Sequence, residues 1–451
     1  MLEVLVDPAE ELGPVKPLNG VNNAPLKPRS DQTRSCWDEF AALKVASVRT
    51  HDMGGCFEYG GQHAGDITAL FPDFDADEND PKSYDFVLTD WVLGQWRETG
   101  AEILFRLGQT IEHWPKKYGT VPPKDYAKWA RVCEHVIRHY NGGWADGHRW
   151  NIRQWEIWNE YNLDNDDAAN KRTWGGTKEE FFCFYETVAK HLKATFPDLS
   201  IGGPAICYKA HENTPFEFID YCRDHQVPLD FFSWHRYSPD VEPLLKIARQ
   251  YRAALDAAGY TRTVSFCDEW NYNNGWGDGF QKSAIERQGV KGAAATMATM
   301  CALQEAPVDA LHYYELRPGR PQFNGVFDDL TMAPLKAYWA FYAWRRLRAL
   351  GTQVKVTVEE NADGIRAVAA EGTDGRLTAV VSRFTKDDSV VARRAVLLKV
   401  SGRPFAEGVV KVVDSRFSYG ETVVPVSGGA LALTLEPNAF VVVDCAPGGS
   451  R

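Results

Sequence analysis

Two stretches of this 451-residue chain place glutamates where a folded protein can use them. Gln154-Trp155-Glu156-Ile157-Trp158-Asn159-Glu160-Tyr161-Asn162-Leu163 starts as a buried-strand run of aromatic and β-branched residues and ends in amides and a carboxylate. Val264-Ser265-Phe266-Cys267-Asp268-Glu269-Trp270-Asn271-Tyr272 has the same form. A fold that gathers strand ends would set Glu160 and Glu269 against one substrate. Glycosidic cleavage needs such a pair: one carboxyl protonates the departing oxygen, and an ionised one meets the oxocarbenium-like carbon. At a separation of about 5–5.5 Å the second attacks directly and configuration is retained. Glu160 is assigned as acid/base, raised in pKa by burial and nearby negative charge, and Glu269 as a nucleophile kept ionised by hydrogen-bond donors. Glu156 falls on the side of Glu160 but deeper, whereas alternation turns Asp268 away from Glu269, toward a neighbouring loop or helix.

Further groups surround this pair. The Asn159 amide is placed to bond a sugar hydroxyl beside the reacting carbon, a contact that tightens as the ring flattens. His235 and Tyr237 alternate onto one face of Ser233-Trp234-His235-Arg236-Tyr237, on the strand before Glu269. His51, after Val48-Arg49-Thr50, suits distal hydroxyls, and Arg49 is a partner for an interior carboxylate. Glu315 closes a later strand as another hydroxyl ligand. Trp276, with Trp174 and Phe323, is a loop aromatic from which a sugar platform can be built.

The elements that must position these groups alternate. Strands are expected at 17–22, 46–51, 102–107, 152–159, 200–207, 229–237, 263–270 and 310–315. Helices are expected from a Ser30 cap to about Leu43, then over 85–99, 124–140, 178–195, 215–226, 241–258, 284–305 and 332–349. Thr177 and Glu180 have the spacing of a capping box. Eight such units indicate an α/β fold, a (β/α)8 TIM barrel. After Leu350 short apolar strands punctuated by Gly, Asp-Gly and Pro indicate an antiparallel β-sandwich. Residues 2–7 alternate like a strand of that sandwich, and Pro8 to Pro17 reads as a link. The expected domains are a barrel over 13–348 and a sandwich built from 1–12 plus 349–451.

Composition narrows the partners. A formal charge of −11 argues against nucleic acid and anionic membranes, leaving a neutral oligosaccharide or glycoside as the fitting substrate. Nine widely spaced cysteines (Cys36, Cys56, Cys133, Cys183, Cys207, Cys222, Cys267, Cys301 and Cys445) form no C-x-x-C and fall mostly in apolar runs, as buried thiols of a reducing compartment do. No signal peptide precedes Leu2-Glu3-Val4 and no run has the length of a membrane span, so a cytoplasmic location is expected. Trp-rich loops and an edge strand are compatible with a homo-oligomer.

On Trp155-Glu156-Ile157-Trp158-Asn159-Glu160, Gly202-Gly203-Pro204-Ala205, His235-Arg236-Tyr237-Ser238, Asp268-Glu269-Trp270-Asn271 and Pro122-Pro123-Lys124-Asp125-Tyr126, the chain resembles glycoside hydrolase family 39, the family of β-xylosidases and α-L-iduronidases. The resemblance covers roughly residues 17–345. It implies a barrel with a β-sandwich, Glu160 as acid/base, Glu269 as nucleophile, a glycone pocket around His51, Asn159, His235 and Tyr237, and no metal or organic cofactor. The sequence departs from the family at Tyr161, where a proline is usual, and over 106–114 and 314–318, loops that shape the sugar pocket.

The function expected is a retaining exo-glycosidase, foremost a β-xylosidase. Alternative glycones are those of an α-L-arabinofuranosidase, a β-glucosidase or β-galactosidase, or an α-L-iduronidase-like enzyme. A non-catalytic carbohydrate-binding protein would lack one glutamate, and both are present. A metal-dependent hydrolase would need a tight ligand cluster. No H-x-H pair exists, and the acidic loop Asp73–Asp80 lacks the glycine and terminal glutamate of a calcium loop.

Overall fold

The computed structural model describes residues 1–54, 63–209, 213–319, 322–358 and 363–445. A first strand, β1 (Leu2–Pro14), leads into eight parallel strands: β2 (Gly20–Asn22), β3 (Ser47–Arg49), β4 (Glu102–Leu107), β5 (Gln154–Ile157), β6 (Ser200–Cys207), β7 (Phe231–Ser238), β8 (Val264–Tyr272) and β9 (Ala310–Tyr313). β2 pairs with both β3 and β9, which closes the barrel. Parallel neighbours require long crossovers. These are supplied by α1 (Trp37–Leu43), α2 (Ile67–Leu70), α3 (Val87–Glu98), α4 (Tyr126–Gly142), α5 (Lys178–Thr195), α6 (Thr214–His225), α7 (Glu242–Ala257), α8 (Asp278–Gln288) and α9 (Val290–Leu303), with α10 (Tyr338–Leu350) after β9.

The remaining strands, β10 (Thr352–Val358), β11 (Ile365–Glu371), β12 (Leu377–Arg383), β13 (Arg394–Val400), β14 (Val409–Val413), β15 (Ser418–Val423), β16 (Val426–Ser427), β17 (Ala430–Leu435) and β18 (Ala439–Cys445), join β1 in one ten-stranded sheet. β1 lies between β10 and β13, and its pairing with β13 is parallel while the others are antiparallel. One face buries Val4, Val6, Val354, Leu398, Leu433 and Val441 in a core of its own. Val380, Phe440 and Val442 of the other face join the barrel's core. α9 is buried on nearly every residue, because this sheet covers one side of it and the barrel the other. Its sequence, Gly292-Ala293-Ala294-Ala295 followed by alternating Thr, Met and Ala, is apolar around the whole helix, as that position requires.

Several local expectations change. β1 continues to Pro14 through the expected link, with register shifts after Asp7 and Glu11 that absorb its irregular residues. α1 begins at Trp37 without a side-chain cap, and the Ser30 carbonyl instead accepts Thr33 N–H (3.2 Å) in a turn. The helix expected over 284–305 is two, α8 and α9, divided at Gly289, whose backbone is extended. The capping box forms: Thr177 Oγ1 accepts Glu180 N–H (3.2 Å) and Glu180 Oε2 accepts Thr177 N–H (2.7 Å). Eight cysteines are free thiols, of which Cys183 is exposed and Cys207 and Cys445 half-buried; Cys56 lies outside the described residues. Among the described residues no helix is long and apolar enough to cross a membrane.

Candidate active site

β5 ends early, and that ending aims Glu160. Alternation would continue the strand through Asn159, but Trp158 and Glu160 take left-handed backbone (φ 72° and 47°), which costs a non-glycine residue on the order of 1–3 kcal/mol. The surroundings hold it there. Trp158 N–H donates to Leu107 O (2.7 Å) and Glu160 N–H to Ala205 O (2.9 Å). The Trp158 indole donates to Thr173 O (2.9 Å), and Thr173 Oγ1 to Glu160 O (2.6 Å). Ala205 offers its carbonyl because β6 bulges between Gly203 and Ile206, with Ala205 itself at φ 54°. The preceding Gly203 adopts φ 135° and brings its backbone so close to β5 that a Cβ would sit 2.8 Å from Ile157 O. The Gly-Gly-Pro-Ala motif thus holds the Glu160 loop. Tyr161, at the departure from proline, is buried and stacks on Phe181 at 3.9 Å.

Glu269 arrives through a second bulge. Trp234 pairs with Cys267 but His235 with Glu269, so Asp268 is an extra residue in β8. Asp268 therefore does not alternate outward as expected. Both it and Glu269 turn inward onto Arg49, whose Nε lies 3.0 Å from Asp268 Oδ2 and whose Nη1 donates to Glu269 Oε1 (2.8 Å). Arg49 is wholly buried and also binds Glu156 Oε2 (2.7 Å), Asn22 Oδ1 (3.0 Å) and Asn159 Oδ1 (2.7 Å). Its pKa is raised, the three carboxylates outweighing burial. Glu156 and Asp268 share a site: the guanidinium keeps Glu156 low against its burial, while burial and the Glu156 charge push Asp268 well up.

His235 links the carboxyls. Its Nδ1 lies 2.7 Å from Glu160 Oε1 and 3.5 Å from Glu269 Oε2, and its Nε2 is 3.4 Å from Asp268. Burial lowers its pKa to about 4, so the ring is neutral near pH 7. Nδ1 is the ring nitrogen within hydrogen-bond distance of a carboxyl, so the imidazole proton belongs there, where it donates to Glu160. The nearest oxygens of Glu160 and Glu269 come within 4.8 Å. Burial lifts each carboxyl to about 7, yet their surroundings differ. Glu269 accepts from Arg49 on one oxygen and from the Tyr237 hydroxyl on the other (2.9 Å). Glu160 accepts from His235 and the weakly donating Cys207 thiol. Two neighbouring carboxyls that share one proton therefore leave it on Glu160 and the charge on Glu269.

A cavity of about 600 Å³ opens above the pair. On the Glu269 side it is walled by His51, Tyr237, Trp276, Tyr314 and Phe323, and on the Glu160 side by Arg172, Cys207, Tyr208, Lys209 and Arg236. His51 Nδ1 and Asn159 Nδ2 are buried with no hydrogen-bond partner among the described residues. Trp276 is 63% exposed and packs edge-on to Tyr237. Trp174 is not a platform: it is buried among Trp158, Phe181 and Phe184, with its indole on Thr177 O. Glu315 lies behind the wall, fully buried, accepting from Asn23 (2.9 Å) and paired with Arg317 (3.2 Å). The strand-end argument ran one residue too far there, since Tyr314 is the one on the cavity. Cys207 and Tyr208 follow the same strand-end signal on β6, whereas Arg172 sits in a polar loop with nothing in its sequence to mark it.

Comparison with known proteins agrees with this fold. The family model "Glycosyl hydrolases family 39" matches residues 20–314. A β-xylosidase of Caldicellulosiruptor saccharolyticus is 27% identical over 377 residues, 75% of this chain and 69% of that protein. A β-xylosidase of Geobacillus stearothermophilus is 37% identical over 134 residues, 29% of this chain and 24% of that protein. The fold is shared with a glucosidase from Croceicoccus marinus (TM-score 0.77, 23% identity, 98% of both chains). It is also shared with a monomeric β-xylosidase from Caulobacter crescentus CB15 (TM-score 0.71, 16% identity, 99% of this chain and 100% of that one).

Proposed function

The chain belongs to glycosyl hydrolases family 39, and from that premise we propose that it is a retaining, exo-acting β-xylosidase with Glu160 as acid/base and Glu269 as nucleophile. The observation that carries the roles is the unequal solvation of two carboxyls within 4.8 Å of each other. The Glu269 carboxylate attacks the anomeric carbon as the glycosidic C–O bond breaks and Glu160 passes its proton to the leaving oxygen. Glu160 then takes a proton from water, whose oxygen displaces Glu269 from the same carbon. Asn159 Nδ2 and His51 Nδ1, without hydrogen-bond partners among the described residues, suit hydroxyls of the glycone, with Trp276 at the rim. The choice of xylose rests on the two relatives named above, each a β-xylosidase.

A panel of 4-nitrophenyl β-xyloside, α-arabinofuranoside, β-glucoside, β-galactoside and an iduronide analogue tests the glycone. A dominant signal on any sugar but xylose sinks that choice, and silence throughout sinks the exo-glycosidase.

Two consequences concern Glu160. Activity is expected to follow a bell around neutral pH, since the working state carries one proton on the pair. It falls on the acid side as Glu269 is protonated and on the alkaline side as Glu160 loses its proton, both limbs lying above the ordinary carboxylate range. In Glu160→Gln, assayed with 2,4-dinitrophenyl β-xyloside, the alkaline limb should vanish while the acid limb stays. In Glu160→Ala, bond cleavage of that activated substrate should hold near the parent rate, while xylobiose hydrolysis drops by about 10³-fold or more. Equal losses on both substrates would remove Glu160 from the acid role.

A further inference from the structure

The tertiary fold assembles a second set of side chains outside the barrel mouth. Asp90 stands in the first turn of α3, His139 near the end of α4, and His148 in the loop that follows. Asp90 Oδ1 and Oδ2 lie 3.1 and 3.3 Å from His139 Nε2, and Oδ2 lies 3.2 Å from His148 Nε2. One ligand atom from each residue falls within 4.8 Å of the other two.

His139 Nε2 is within hydrogen-bond reach of Asp90, but these contacts are long for charge-assisted ones. A charge-assisted N–H to carboxylate contact closes to about 2.7–2.9 Å. Within this same protein His235–Glu160 and His191–Glu134 sit at 2.7 Å. Separations of 3.1–3.3 Å instead approach the ligand-to-ligand edge of a tetrahedral zinc site, about 3.3 Å for bonds of about 2.0–2.1 Å. His139 is buried and its Nδ1 lies 2.9 Å from Trp144 O, which holds the ring with Nε2 facing Asp90. Among the described residues His148 Nε2 is buried without a hydrogen-bond partner.

Both rings are also pre-oriented. His139 stacks on Phe86 at 3.6 Å and His148 on Trp150 at 3.9 Å. A backbone carbonyl on the far nitrogen is the usual way a metal-binding histidine is held. The loop is tied back by His148 N–H to His139 O (2.6 Å), so tightly that a Cβ on Gly147 would lie 2.3 Å from that oxygen. Asp90 and His148 remain about 30% exposed, which leaves a side open for water as a fourth ligand.

We propose that Asp90, His139 and His148 bind a divalent transition metal, zinc foremost, as a structural clamp between α3 and the segment joining α4 to β5. The ligand set carries no reaction, and this site stands or falls separately from the glycosidase reading. The test loads metal-stripped full-length protein with zinc or cobalt(II) at pH 7.5 and measures stoichiometry, the cobalt visible spectrum and Tm. One ion per chain, a cobalt spectrum of low-symmetry coordination and a Tm that rises by several degrees on loading are expected, all three lost in His148→Ala. Metal-free His148→Ala should keep the Tm of the metal-free parent, which guards against simple misfolding. No uptake at micromolar zinc together with an unmoved Tm would leave a hydrogen-bonded cluster and overturn the assignment, as would uptake undiminished in His148→Ala.

Discussion

Glu269→Ala is expected to lose at least about 10³-fold in kcat on every substrate, aryl or natural, because no covalent intermediate can form without the attacking carboxylate. The loss should not depend on leaving group, which separates it from the loss in Glu160→Ala. Removing the side chain also vacates space beneath the anomeric carbon, between Arg49 Nη1 and the Tyr237 hydroxyl, two donors that would hold a small anion. Added azide or formate should therefore restore part of the rate on an activated β-xyloside. Azide attacks once, on the face opposite the leaving group, so the product is the α-glycosyl azide with inverted configuration. In Glu160→Ala azide intercepts the glycosyl-enzyme instead and gives the β-azide, with configuration retained. Product stereochemistry by NMR distinguishes the two carboxylates. A β-azide from Glu269→Ala would reverse the roles proposed for them.

Arg49→Met should damage stability and catalysis together. The guanidinium touches Glu156, Asp268 and Glu269 in the barrel interior, where removing one partner of a buried ion pair costs about 3–5 kcal/mol. Methionine preserves bulk but leaves the carboxyls without a cation, so they must take up protons or come apart. The urea midpoint is expected to fall accordingly. Glu269, deprived of its strongest donor, should titrate higher and move the acid limb of the pH profile to still higher pH, narrowing the bell from its acid side. Arg49→Lys keeps the charge but presents a point donor instead of a planar fork, so it should recover more stability than activity. An Arg49→Met protein with the parent's urea midpoint and acid limb would mean that the interior charges are balanced without this residue.

A negatively charged chain can still be built around a buried cation, because only local pairing matters at these distances. Arg49 meets Glu156, Asp268 and Glu269 beneath the cavity, and the one shared proton on Glu156 and Asp268 with another on the catalytic pair brings their charges near balance. The same arrangement explains why mutations at Asp268 or Glu156 cannot be read as removal of spare acids.

Much of this protein is written along the chain. Periodicity alone sets out eight strand–helix units, because each strand must be apolar to be covered on both faces and each helix must show the barrel one apolar stripe. Glu160, Glu269, His235 and Tyr237 were also legible, since the barrel collects strand ends at one mouth and those residues stand at strand ends. Three things were not legible, for one common reason: they depend on where backbone regularity breaks or on residues far apart in sequence. The bulge at Asp268 converts an outward residue into an interior one, and only pairing with β7 and β9 reveals it. Trp174 reads as a loop aromatic, but the loop folds it under Trp158 into the core. Asp90, His139 and His148 have no motif spacing, and only the packing of α3 against α4 brings a carboxylate and two imidazoles to a common point. Sequence pattern specifies elements and their faces; bulges, left-handed residues and the docking of distant helices decide which side chains meet, because those are settled by the whole fold's hydrogen bonding and packing and not by any neighbour in the chain.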